Sequence, residues 1–147
     1  MKGLEVIGSY LDEWNIVTIT VRLILAVVCG GAIGLTRSVK RRGAGFKTHA
    51  LVCLGSALVM MTGQYIYVDF GAISDIARLA AQVISGVGFL GVGTIMVTRD
   101  NHVKGLTTAA GLWTCAGIGL SIGIGFYSGA AITTILVLVI YRFMGRV

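Results

Sequence analysis

The chain is predicted to be an all-α polytopic membrane bundle of about five transmembrane helices, N-terminus outside and C-terminus cytoplasmic. Three observations point there. Of 147 residues, 56% are hydrophobic and 12% charged, with a mean hydropathy of +0.90; globular chains carry about 25% charge. Apolar runs recur that match the roughly 20 residues needed to cross a bilayer core as a helix. The basic residues gather in the loops of one side, as the positive-inside rule requires of cytoplasmic loops.

Residues Met1 to Asn15 mix Lys2, Glu5, Asp12 and Glu13 with Val6, Ile7, Tyr10 and Leu11. They read equally as an amphipathic surface helix or as an acidic external tail. No cleavage pattern precedes the first span, 16–36, so it is expected to insert uncleaved. Arg22 lies about 9 Å below its start at 1.5 Å per residue, deep enough to need snorkelling or pairing. Ala26, Gly30 and Gly34 recur every four residues, a seam for close helix crossing.

The run Arg37 to Lys47, RSVKRRGAGFK, is basic without an acid. It suits a cytoplasmic loop, with contact to anionic lipid as an addition. The second span, 48–68, ends in the interfacial tyrosines Tyr65 and Tyr67. A third span, 76–98, follows a short outer loop, and the loop Arg99 to Gly105 returns to the inside. In the fourth span, 106–126, Gly111, Cys115, Gly119 and Gly123 again recur every four residues, and a shorter fifth span covers 130–144. On this topology Arg37, Lys40, Arg41, Arg42, Lys47, Arg99, Lys104, Arg142 and Arg146 lie inside with one acid, Asp100. Outside, Lys2 faces Glu5, Asp12, Glu13, Asp69 and Asp75. With Arg22 and Arg78 embedded near the outer edge, that asymmetry accounts for the net charge of +6 without nucleic acid as a partner.

The third span is expected to be the buried centre. Asp75, Arg78, Gln82, Ser85, Gly86, Phe89 and Gly93 share one side of it, opposite Leu79, Val83 and Val87. Polar groups in lipid are costly unless paired, and glycines admit a neighbouring backbone, so the polar side is expected to face inward. Asp75 is expected to pair with Arg22 across helices and with Arg78 along its own, while Gln82 extends the patch. That patch is either an ion-pair clamp that orients two helices or a gate or ion-coordinating spot. Gly86, Gly88 and Gly91 match the dinucleotide fingerprint letter for letter. The fingerprint works only between a strand and a helix, so no nucleotide cofactor is expected.

No catalytic constellation appears. His49 and His102 sit beside loops, and the serines and threonines lack a neighbouring base. His49 and Cys53 lie one turn apart with no second His/Cys pair, so no metal is expected. Cys29, Cys53 and Cys115 fall in apolar segments and read as reduced packing residues.

The runs Arg22 to Leu35, Ala44 to Leu58, Asp75 to Ile95 and Val103 to Gly123, in that order and spacing, resemble the membrane domain of the MgtC/SapB family of bacterial inner-membrane proteins. The resemblance implies a five-helix domain in the cytoplasmic membrane. It also implies a role in magnesium limitation, acid tolerance and survival of pathogens in host cells, exercised on other membrane proteins such as the proton-translocating ATP synthase. Positions matching the motifs are Arg22, His49, Cys53, Asp75, Arg78, Gln82, Gly86, Gly88, Gly91, Lys104, Gly105, Thr107 and Thr108. Thr36 stands where the family commonly has Glu, which weakens a cytoplasmic cation site there. Larger relatives carry a soluble C-terminal domain, which is not expected in this chain.

The sequence reading is therefore a non-enzymatic, cofactor-free membrane regulator. Its partners are the bilayer, a second copy (a homodimer) and other inner-membrane proteins. The alternative is a small oligomeric transporter or channel for a cation or other solute. Helix packing is assigned to Gly30, Gly34, Gly86, Gly88, Gly91, Gly93, Gly111 and Gly119, and the cytoplasmic loop positions are Arg37, Lys47, His49, Lys104, Thr107 and Thr108.

Overall fold

The computed structural model describes residues 15–39, 43–70 and 75–143. The N-terminal segment 1–14 and the basic residues Lys40, Arg41, Arg42 and Arg146 lie outside them. Five helices make up the described chain: α1 (Ile16–Val39), α2 (Phe46–Phe70), α3 (Ile76–Val92), α4 (Leu106–Gly123) and α5 (Tyr127–Phe143). By length and composition α1, α2 and α4 can cross a membrane, and α3 and α5 are shorter apolar helices.

Side chains set three of the five helix starts. Asn15 opens α1, its Oδ1 accepting from the Thr18 amide at 2.8 Å. The Ser38 hydroxyl accepts from the Phe46 amide at 2.8 Å and so starts α2 from the end of α1. Asp75 opens α3 by accepting the Arg78 amide at 3.1 Å. Gly125, at φ +88°, closes α4: its amide bonds Ile122 O at 3.0 Å, while the Phe126 amide reaches Ser121 O at 2.8 Å. This left-handed stop satisfies the last carbonyls and ends the helix at Gly123 rather than at the expected 126.

The third span is also shorter than expected. It ends at Val92, where the Thr94 hydroxyl and amide both turn back to Gly91 O. Met96–Val97 then pairs antiparallel with Val103–Lys104 as strands β1 and β2, Val97 opposite Val103. Asn101, at φ 56°, turns the hairpin, a conformation Asn tolerates better than most residues.

The central helix is α4, not α3. Helix α4 packs against all four others, and most of its residues are buried, including Leu112, Cys115, Ala116, Ile118 and Ile122. In α3 only Val87 and Gly91 are buried. The glycine spacing explains α4's position: a Cβ on Gly123 would lie 2.6 Å from Ala57 O, and one on Gly119 would collide with Cys53 O. Gly30 and Gly34 of α1 meet the α2 backbone in the same way, 2.6 Å from His49 O and 2.7 Å from Phe46 Cα. Close backbone approach of this kind is how small residues pack membrane helices.

Candidate functional site

Helix α1 carries one arginine near each end, Arg22 and Arg37, about 22 Å apart at 1.5 Å rise per residue. Both are buried, with 4% and 8% of their surface exposed. Helix α5 runs alongside in the same direction and presents a tyrosine to each. Arg22 lies over the Tyr127 ring at 5.9 Å and Arg37 over the Tyr141 ring at 4.8 Å.

Around Arg22 the donors find acceptors. Its Nε donates to Tyr127 Oη at 2.9 Å, and Nη1 donates to Gly123 O at 2.8 Å and to Gln64 Oε1 at 3.3 Å. A phenol, an amide and a helix-end carbonyl thus accept from the guanidinium. The expected Arg22–Asp75 pair does not form. Asp75 is exposed, and its carboxylate caps α3 instead. A guanidinium needs acceptors, and among the described residues α2, α4 and α5 supply them.

Around Arg37 the arrangement is incomplete. Its Nη2 donates to Thr108 Oγ1 at 2.6 Å, but Nε is buried without a hydrogen-bond partner. His49, wholly buried, sits in the same cluster: Nδ1 lies 2.9 Å from Gly45 O, and Nε2 has no partner. A carbonyl can only accept, so Nδ1 carries the proton, and in the neutral ring Nε2 then presents a lone pair. Tyr141 Oη donates to Thr107 O at 3.2 Å and passes over Gly111, where a Cβ would strike it and come within 3.4 Å of His49 Nε2. Buried polar atoms without a protein partner are rare in native proteins, and each calls for an explanation such as a functional role, a bound ion or an ordered water. This cluster is the candidate functional site.

The structure therefore brings Arg37, His49, Thr107 and Thr108 together from three helices, with Gly111 as the floor. Lys47 and Lys104 are exposed outside it, Lys47 at an apolar groove of about 510 Å³ between α2 and α3. Arg78, Gln82 and Gly93 are exposed and do not join Arg22. Sequence reasoning missed Tyr127, Tyr141 and Gln64. The available signal was the placement of one tyrosine near each end of α5, matching the two arginines of α1.

A family model described as the MgtC family matches residues 23–147. The chain belongs to the MgtC family. Within it, the chain is 47% identical over 94 residues to the Escherichia coli (strain K12) protein named putative magnesium transporter YhiD, covering 61% of this chain and 43% of that one. It is 39% identical over 115 residues to protein MgtC of Brucella abortus (strain 2308), covering 78% and 46%. With protein SrpB of Synechococcus elongatus it shares 38% over 110 residues, covering 69% and 60%. The chain thus spans about half the length of the curated relatives it matches. No solved structure matches it. The MgtC-family match includes both ends of the Arg37 cluster, from α1 to Tyr141.

Proposed function

We propose that this MgtC-family protein is a non-enzymatic, multi-pass protein of the bacterial inner membrane that modulates other membrane proteins under low magnesium, acid or intracellular stress. On this reading the basic end of the bundle, with Arg37, Lys47 and Lys104, faces the cytoplasm, and the Arg37 cluster is where a signal or partner acts.

One observation carries the choice over conduction. Between the two arginine clusters the interior is filled by Ala26, Ile33, Cys53, Ala57, Cys115, Ile118 and Ile122, each at most 1% exposed. A solute crossing a single copy would have to displace a close-packed apolar core, which has few voids as large as a water molecule. Magnesium also needs oxygen ligands in near-octahedral geometry. Among the described residues no group of three or more His, Cys, Asp or Glu could supply them.

The second reading, a transporter assembled from several copies, is favoured by the polar side of α3 and by the name of the Escherichia coli relative. Purified protein in liposomes separates the two. Modulation is expected to give no magnesium or proton flux from folded, inserted protein, together with co-purification of a membrane partner after in-cell crosslinking. Flux that scales with protein density would replace it with conduction.

A further inference from the structure

Every member of the α3 stripe faces away from the bundle. Asp75, Arg78, Gln82, Ser85, Gly86 and Phe89 are all exposed, Phe89 by 82%, while Leu79, Val83 and Val87 turn inward. A Cβ on Gly86 would meet nothing within 4 Å. The outward side of α5 is different. Ile132, Ile135, Leu136 and Val139 are exposed there, and aliphatic side chains suit acyl chains. An arginine, a glutamine amide and a serine hydroxyl do not, because lipid offers them no hydrogen-bond partners.

The spacing 75, 78, 82, 85, 89 alternates three and four, the seam of two helices crossing at about 20°. We propose that this face of α3 is the seam of a two-fold homodimer, with α3 of a second copy as its occupant. The chemistry of the stripe selects a copy over an unrelated helix. About a two-fold axis along the membrane normal, each residue meets its own counterpart at the same depth. Gln82 is both donor and acceptor and so pairs with Gln82, and Ser85 pairs with Ser85 for the same reason. Asp75 and Arg78 have opposite charges one turn apart, so the two-fold can form two diagonal carboxylate–guanidinium pairs across the seam, one for each carboxylate. Gly86 leaves room for the backbones to approach, and Phe89 closes the seam at the basic end. This goes beyond the modulatory reading and is independent of it, since a dimer of this kind can regulate or conduct.

The test uses the full chain in lipid bilayers, with Cys29→Ala to remove the partly exposed thiol. Oxidation of Ser85→Cys is expected to give a covalent dimer, whereas Ile135→Cys on α5 is expected to give none. In dilute bilayers, Gly86→Leu is expected to shift the monomer–dimer equilibrium toward monomer by about tenfold or more, and Gln82→Leu by a smaller factor. Circular dichroism should remain that of the parent in each case. Three results would overturn the proposal: a monomer at every dilution, crosslinking at Ile135→Cys that equals Ser85→Cys, or closed assemblies of three or more copies.

Discussion

Arg22 and Arg37 have the same chemistry, the same parent helix and the same kind of neighbour, a tyrosine of α5. They differ in how completely they are served. Arg22 spends its donors on Tyr127, Gln64 and Gly123 O and so ties α1, α2, α4 and α5 together at one end. Arg37 engages Thr108 and the Tyr141 ring, yet its Nε and the nearby His49 Nε2 have no protein partner in the interior. A buried polar group left unsatisfied costs about 1–3 kcal/mol, so the second end gains less from its polar groups than the first. A clamp and a candidate site can share one residue type. What distinguishes them is the completeness of their hydrogen bonding.

The contrast can be broken at several points. Gly123→Leu should have the largest effect, because its side chain would enter the Ala57 backbone beneath the Arg22 clamp; more than about 4 kcal/mol is expected, seen as failure to accumulate in the membrane. Arg22→Met comes next. It strands the Gly123 carbonyl and the Tyr127 and Gln64 side chains, lowering stability by about 2–3 kcal/mol in a detergent unfolding titration. Gly111→Ala is expected to cost only about 1 kcal/mol, since the obstacle is the tip of Tyr141 rather than backbone. Its signature is loss of the Tyr141–Thr107 hydrogen bond with the fold kept, readable in the tyrosine ultraviolet resonance Raman spectrum. The mildest test changes nothing: ¹⁵N NMR of His49 in bilayers should show the Nδ1–H tautomer with Nε2 unprotonated. An Nε2–H tautomer would mean that the cluster is closed after all.

Much of the fold was readable from the sequence, for identifiable reasons. Continuous apolar runs located the helices, and glycines recurring every four residues foretold the close contacts of α1 and α4 with α2. Burial depth also marked Arg22 as a residue needing partners. Three features were not readable. A polar stripe in a membrane demands protein against it, but its sequence does not say whose; the inward assignment of α3 assumed a single chain. Arg22 was matched to Asp75 because opposite charges are conspicuous, whereas a phenol, an amide and a carbonyl serve a guanidinium equally well. The apolar Met96 and Val97 prolong the α3 run, so the hairpin showed only in Asp100-Asn101, a turn dipeptide inside an expected loop. Of the candidate site, Arg37, His49, Thr107 and Thr108 were picked out separately. Their convergence required the tertiary packing of α1, α2 and α4.

The most direct test is Arg37→Met, measured for both stability and function in the same cells. The side chain keeps the stem that packs in the interior and removes both the bond to Thr108 and the unpartnered Nε. Accumulation should match the parent, with unfolding shifted by no more than about 1 kcal/mol. On the proposed modulatory role, support of growth at limiting magnesium, in a bacterium lacking its own MgtC-family protein, should be lost. A variant that unfolds as Arg22→Met does, or one that still supports growth, would contradict the division between clamp and candidate site.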